Sequence, residues 1–448
     1  MAFKLDAIHI REPHVRRIGR LFLVGLLAIT GLSAITGPTV FTGPPAAGCL
    51  ADPAGKPRAQ ENGQAAGEPY LVRLLSQSPV SPGGEIRALW VVRDALTSRE
   101  RIDRLIDFAG RGKFQLLFAQ VRGRGDAYYR SSLEPEGIQL ERPVAEFDPF
   151  EYLLLRAHEA GIAVHAWVNV FYVWSDTGAA PPPGHLASRH PDWLITGPDG
   201  FRVDVHPVNG WSGEGAEGYF VAPNHPEARA FTVRVIEEIK NTYPLDGIHL
   251  DYVRYPGPGF GYDAKDRTDF ILRWGVDPLS LLTDRPPLLD AAGTGGLALL
   301  DSLLVEERAD AVDSLVIAVK RLLGDLPLSA AVFPDPQAAR LEKGQDWVRW
   351  AHQGYVDFVV PMAYTYPPRE LKTRMQFIRN LIGKNKFLVG LPLYNERVNH
   401  LKASIETLRR VGVVGFSLFS YNVMEDRRFA ARFLDEAFFE GREDVESP

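Results

Sequence analysis

Asp246-Gly247-Ile248-His249-Leu250-Asp251-Tyr252-Val253-Arg254-Tyr255-Pro256 is the stretch on which the fold turns. It opens on a turn pair and closes on proline, and in between apolar and polar side chains alternate. Successive side chains of a strand point to opposite faces. His249 and Asp251 therefore share one face, while Ile248 and Leu250 share the other. The aliphatic face asks for a covering layer of helices. The polar face ends in a carboxylate at the C-terminal end of the strand.

Outward from this stretch, seven more runs have the same character: Ile86–Val92, Gln115–Gly123, Ala163–Phe171, Leu328–Phe333, Val356–Tyr364, Phe387–Tyr394 and Val413–Tyr421, with Gly247–Tyr255 fourth in order. Such near-continuous hydrophobicity suits parallel strands covered on both faces. Helical sequence separates them. Thr97-Ser98-Arg99-Glu100 reads as a capping box. Asp148-Pro149-Phe150-Glu151 supplies an N-cap and a proline at the first helical position, and Gly161 closes that helix. Pro226–Lys240, Arg369–Ile382 and the shorter Ser404–Arg410 are amphipathic. Eight strands, each followed by helical sequence, predict an α/β protein of the (β/α)8 TIM-barrel class. The length beyond the usual barrel of about 250 residues falls in Tyr172–Phe220 and Gly257–Asp325. Both are long insertions, after strands three and four, so both belong over the C-terminal rim. An open doubly wound sheet would need a glycine-rich phosphate turn after an early strand. Gln120-Val121-Arg122-Gly123-Arg124-Gly125 offers only Gly-x-Gly, followed by Asp126-Ala127-Tyr128-Tyr129.

Composition bounds the function. The chain has 448 residues, 45% apolar and 24% charged, with a net charge of −6. A mildly acidic chain is a poor fit to nucleic acid, which is gripped through phosphates. The single cysteine, Cys49, excludes an intrachain disulfide and a cysteine-based zinc site. His185, His190 and His225 lack ligand spacing, so neither metal nor cofactor is expected. At the N-terminus Lys4, Arg11, Arg16, Arg17 and Arg20 precede the apolar run Leu21–Ile35, the pattern of an export signal. Pro45-Ala46-Ala47-Gly48-Cys49 resembles a lipobox. The expected organisation is a signal or membrane-anchor segment over 1–49, a flexible tether over 50–80, the barrel over 81–440 and an acidic tail over 441–448. The protein is then exported to the cell envelope, with a possible membrane tether through the N-terminal segment or a lipidated Cys49.

In a barrel the C-terminal strand ends build the site, and here they are polar and aromatic. Strand two ends in Gln120 and Arg122, which share a face by alternation, and strand three in His165, Trp167 and Asn169. Strand four carries His249, Asp251, Arg254 and Tyr255. Asp335 follows strand five, Tyr364 ends strand six, Tyr394 strand seven, and Phe419, Tyr421 and Asn422 strand eight. A carboxylate ringed by amides, arginines and aromatic rings suits a sugar, whose ring faces stack on aromatics and whose hydroxyls need directed hydrogen bonds. Asp246 and Asp357 precede their strands and read as turn residues at the opposite face.

At these residues the chain resembles the bacterial glycosyl-hydrolase-like family 10, exported barrels distantly related to the α-amylase group. The matching segments include Glu85–Trp90, Phe118–Arg122, Gly125–Tyr129, Phe147–Pro149, Val164–Asn169, His190–Trp193, Asp246–Pro256, Gln345–Trp347, Asp357–Tyr364 and Gly415–Tyr421. The resemblance implies hydrolysis of a bacterial polysaccharide such as the glycan of peptidoglycan, with Asp251 as nucleophile or supporting carboxylate. Related barrels place a glutamate near the end of strand five, and this chain has Ala330-Ala331-Val332-Phe333-Pro334-Asp335 there. Glycoside hydrolysis needs two carboxyls, about 5–5.5 Å apart for retention or about 6.5–9.5 Å for inversion. Asp335 is the positional candidate for the second, with Asp126, Glu134, Glu214 and Glu217 on rim loops. The expectation is a glycoside hydrolase using Asp251 and Asp335, with Gln120, Arg122, Trp167, Asn169, His249, Arg254, Tyr255, Tyr364 and Tyr394 binding substrate, and Trp193 and Trp211 walling a groove. The alternative is a polysaccharide-binding barrel without turnover. A barrel enzyme for phosphorylated substrates would want a phosphate nest after strands seven and eight, where Asn395-Glu396-Arg397 and Asn422-Val423-Met424-Glu425 offer none.

Overall fold

The computed structural model describes residues 68–77, 84–175, 180–198, 200, 218–282, 287–393, 398–425 and 433. The export segment, Cys49, the acidic tail, Tyr394, Trp211, Glu214 and Glu217 lie outside the described residues.

All eight expected strands form. They are β1 (Ile86–Val91), β2 (Leu116–Arg122), β3 (Ala163–Asn169), β6 (Gly247–Asp251), β7 (Leu328–Val332), β8 (Phe358–Pro361), β9 (Val389–Pro392) and β10 (Gly415–Phe419). Their spatial order is β8-β7-β6-β3-β2-β1-β10-β9. Parallel bridges from Val359 to Phe387 and from Met362 to Gly390 join β8 to β9 and close the barrel. The extra strands β4 (Tyr172–Ser175) and β5 (Gly218–Phe220) pair antiparallel within the first insertion.

Alternation sorts the core into two shells. Ile86, Ala88, Trp90, Leu116, Phe118, Trp167, Ala331, Phe358, Val360 and Leu388 fill the lumen. Ile248, Leu250 and the matching residues of other strands pack outward with the helices. Two strand glycines admit large lumen rings: a Cβ on Gly247 would lie 2.4 Å from the His165 ring, and one on Gly390 would lie 2.9 Å from Trp90.

A hydrogen-bonded chain crosses the lumen. The Trp90 indole donates to His249 Nε2 at 3.0 Å, which leaves the proton on Nδ1, 2.9 Å from Ser329 Oγ. Tyr70 OH donates to His165 Nε2 at 2.9 Å, so His165 Nδ1 faces the same Ser329 oxygen at 3.3 Å. Ser329 passes its own proton to the Ile248 carbonyl. Both histidines are fully buried and neutral in this arrangement. Burial lowers His165 to about 3. Burial, and then the neighbouring His165, hold His249 well below its ordinary value.

Tyr70 belongs to the folded body. The tether expected over 50–80 contains a helix, Tyr70–Gln77. Leu71 and Leu74 join the lumen cluster, and Tyr70 stacks on Phe358 at 5.8 Å. Phe358 opens β8, so this helix stops the N-terminal mouth of the barrel. The polar composition of the segment as a whole conceals the apolar run at Tyr70-Leu71-Val72.

The same mouth is pinned by side chains that precede strands. Gln115 accepts from the Arg87 amide at 2.8 Å. Asp246 accepts from the Val164 amide at 2.7 Å, and Asp357 from the Leu328 amide at 2.8 Å. Each ties the entrance of one strand to the strand beside it. Among the helix starts, Asp148 caps Phe150 and Glu151 as expected. The capping box at Thr97 does not form, because the helix begins one residue later with Ser98 at the N-cap and no side-chain cap bond. Thr97 Oγ1 turns instead to the Asp94 carbonyl and to Glu141.

The second insertion is helical rather than a long loop. It contains Ala264–Trp274 and Pro287–Leu323, the latter broken by a non-helical kink at Gly293. Ala309, Val312, Leu315, Val316 and Val319 are buried, so the final turns of the long helix serve as the barrel helix that follows β6.

Candidate active site

Asp251 ends β6 and is half-exposed. In register it sits beside Asn169 of β3, and His249 sits beside Trp167. The chain after β3 clamps the backbone here. The Val170 amide donates to the Asp251 carbonyl at 2.8 Å, and the Phe171 amide to the Tyr252 carbonyl at 3.2 Å. Tyr252 is left-handed at φ 49°, a conformation costly for a bulky residue and concentrated at functional sites. Its ring stacks on Tyr172 at 4.6 Å. The Asp251 carboxylate accepts from the Tyr252 amide at 2.7 Å, so the strained turn and the carboxylate hold one another.

At this end of the barrel the rim floor is aromatic. Phe419 is its hub: it stacks on Tyr364 at 5.5 Å, meets Trp90 edge-on at 5.9 Å and Trp167 at 6.3 Å. Phe419 and Tyr364 are half-exposed, whereas Trp90 and Trp167 lie beneath them, nearly fully buried. The Trp167 indole donates to Asn169 Oδ1 at 2.9 Å, and Asn169 Nδ2 donates to the Gly123 carbonyl at 2.7 Å. Gln120 accepts from the Arg93 guanidinium at 2.9 Å. The structure thus brings Asp251, Asn169, Trp167, Gln120 and Tyr364 to one end of the barrel.

Four other expected binding residues lie behind this surface. His249 is fully buried under Trp90, within the lumen chain described above. Arg122 departs from the expected alternation. A bulge at Val121 leaves Gln120 opposite Trp167 but puts Arg122 opposite Val168, which faces the outer shell. Arg122 is 0% exposed. It pairs with Glu134 at 2.7 Å and donates to the carbonyls of Asn169 and Val170. Its place is a buttress under the β3 end. Arg254 lies over the rings of Tyr252, Phe333 and Phe220 at 4.7, 5.3 and 5.6 Å, bracing the turn after Asp251 against the ends of β7 and β5. Tyr255 is buried under Arg308, whose guanidinium is 4.5 Å from the ring, so it offers no open face to a sugar.

Asp335 is the N-cap of helix Pro336–Lys343. One oxygen accepts from the Gln337 and Ala338 amides at 3.0 Å each, and the other lies 3.2 Å from Arg374. Of the rim-loop acids, Glu134 is held by Arg122, and Asp126 by Arg124 at 3.4 Å. Trp90 and Arg93 take part in the rim although sequence reasoning gave them no role there, and Phe419, expected only as a strand-end residue, is its aromatic hub. Trp90 was legible as the third inward residue of β1 after Ile86 and Ala88.

A (β/α)8 barrel with a carboxylate at a strand end beside an aromatic rim is the architecture of carbohydrate-active barrels. The chain belongs to the glycosyl hydrolase-like 10 family, whose model matches residues 85–379. Two curated relatives carry hydrolase names. Glycosyl hydrolase YngK of Bacillus subtilis is 22% identical over 324 residues, 66% of this chain and 57% of its own length. Glycosyl hydrolase DigH of Escherichia coli is 26% identical over 182 residues, 36% of this chain and 37% of its own length. This chain therefore spans less than two thirds of either relative. Among solved structures, the glycoside hydrolase domain of PgaB (BpsB) from Bordetella bronchiseptica superposes with a TM-score of 0.59 at 14% identity, covering 80% of this chain and all of that one. At that identity the likeness is one of fold.

Proposed function

We propose that this protein is an exported glycoside hydrolase acting on a bacterial envelope polysaccharide, with the glycan of peptidoglycan as the substrate class. The observation that carries the proposal is Asp251: a half-exposed carboxylate on a strained strand end, beside Asn169 and at the same end of the barrel as the Phe419–Tyr364 stack. A sugar seated on those rings presents its anomeric carbon to this carboxylate, which acts as nucleophile or base. Asp335 is the partner acid. It follows β7 by three residues, and β7 is the neighbour of β6. To act as the acid, Asp335 gives up its bond to Arg374, takes up a proton from solvent and passes that proton to the leaving oxygen. Tyr364 faces the sugar, and Trp167, Asn169 and Gln120 set the rim from beneath it. His249, Arg122, Arg254 and Tyr255 hold those groups in place. The basic flank and apolar run before residue 36 support export.

A second reading, a polysaccharide-binding barrel without turnover, draws on the engagement of Asp335, Asp126 and Glu134 with other partners. Turnover distinguishes the two. The protein is incubated with a panel of bacterial glycans, including peptidoglycan with and without its peptides, and products are read by mass spectrometry. New reducing ends from the parent protein and none from Asp251→Asn support hydrolysis. Binding without cleavage by the parent supports the second reading.

A further inference from the structure

On the outer flank of the barrel lies a hollow of about 470 Å³. The first turns of helix Pro226–Thr242, the segment Arg189–Trp193 and Ser132–Leu133 line it. Its size falls in the ordinary range for small-molecule sites, about 300–1,000 Å³. The floor is aromatic. Phe231 and Trp193 are 4% and 5% exposed, and His190 lies flat on Trp193 with ring centroids 3.9 Å apart. Two exposed arginines stand over that floor, Arg189 at 5.7 Å and Arg234 at 5.5 Å from the Phe231 ring.

Neither guanidinium forms an ion pair among the described residues. Arg189 makes one long bond, to the Leu133 carbonyl at 3.4 Å. Among the described residues that line the hollow the acid is Glu227, so two arginines face one carboxylate there, while Glu238 at its edge is bonded to Ser131 and Ser132. This excess stands on a chain whose net charge is −6. A guanidinium is a planar fork of donors matched to a carboxylate, and a ring floor suits the apolar face of a sugar.

We infer that this hollow is an accessory site for a carboxylate-bearing unit of an acidic glycan, lined by other residues than those of the Asp251 rim. Only the sugar nature of the ligand rests on the hydrolase proposal, because occupancy here requires no turnover. Its role is to hold a long polymer against the flank while another part of the same chain reaches the rim.

Binding is measured by calorimetry with the Asp251→Asn protein, using an oligogalacturonate and the same oligomer with its carboxyls reduced to neutral alcohols. The acidic oligomer should bind and the neutral one should bind far more weakly. Replacing both arginines (Arg189→Gln with Arg234→Gln) should weaken the acidic oligomer roughly tenfold, the scale of two exposed charge contacts. Glu227→Gln should tighten it. The replaced side chains are exposed, so these variants keep the fold. Equal binding of both oligomers, no binding of either, or unchanged affinity in the double arginine variant overturns the inference. Cleavage by the Asp251 protein is scored separately, so failure of the hydrolase proposal and failure of this site read differently.

Discussion

His165 and His249 meet at one serine oxygen in the middle of the barrel, and that fixes how the protein responds to acid. An unfolded chain titrates its histidines near pH 6.5, whereas burial lowers His165 to about 3 and also depresses His249. Below about pH 6.5 the unfolded state therefore takes up protons that the fold refuses. The stability these residues contribute is complete above that pH and drains as pH falls toward 3. Between pH 7 and 5 the loss reaches about 2 kcal/mol for His165, and His249 adds to it in the same direction. Thermal midpoints across that range should fall, and His165→Gln, which keeps one donor and one acceptor, should flatten the slope. An unchanged wild-type midpoint would contradict the neutral chain. Alternation in the sequence placed His249 and Asp251 on one face, and the structure agrees. It misplaced Arg122, because a single-residue bulge leaves no mark in the hydrophobic pattern. The Arg122–Glu134 pair, with both side chains 0% exposed, yields a second expectation. Glu134→Gln strands a buried charge and should cost about 3–5 kcal/mol, read as a lower urea midpoint, whereas replacing both partners with apolar residues should recover much of the loss.

The eight strands were legible because parallel strands buried on both faces need long apolar runs. The elements that escaped reading are those whose signal is diluted by their surroundings. Helix Tyr70–Gln77 hides in a polar segment, and the helices of the second insertion hide behind its glycines and prolines. The first case separates two outcomes. Leu71 is 0% exposed, and loss of such a side chain costs about 2–5 kcal/mol. Leu71→Ala should therefore lower the unfolding midpoint, whereas a substitution in a flexible tether would leave it unmoved. The strand-entrance pins offer another measurement. Asp246→Ala and Asp357→Ala each free a strand amide and should cost about 1 kcal/mol apiece. The two act on different strand pairs, so their effects should add. A double variant no weaker than either single one would show that the entrances are held by other contacts.

Over the whole molecule, one end of the barrel is stopped by an N-terminal helix and pinned by side chains, and the other carries the insertions, the strained turn and the half-exposed carboxylate. That division between a stability face and a site face belongs to the barrel architecture. The polarity of the strand ends displayed it in the sequence before any coordinates. Which of those polar residues reach the rim surface was not legible, since it depends on how deep each side chain sits beneath Phe419 and Tyr364. The central claim is that Asp251 breaks a glycosidic bond. The direct measurement is cleavage of peptidoglycan glycan strands and related envelope polysaccharides by the parent protein and by Asp251→Asn, with folding of both checked by thermal midpoint. Hydrolysis by the parent, loss of at least about a thousandfold in the variant and matching midpoints are the predicted result. Wild-type turnover by a folded Asp251→Asn protein would contradict it.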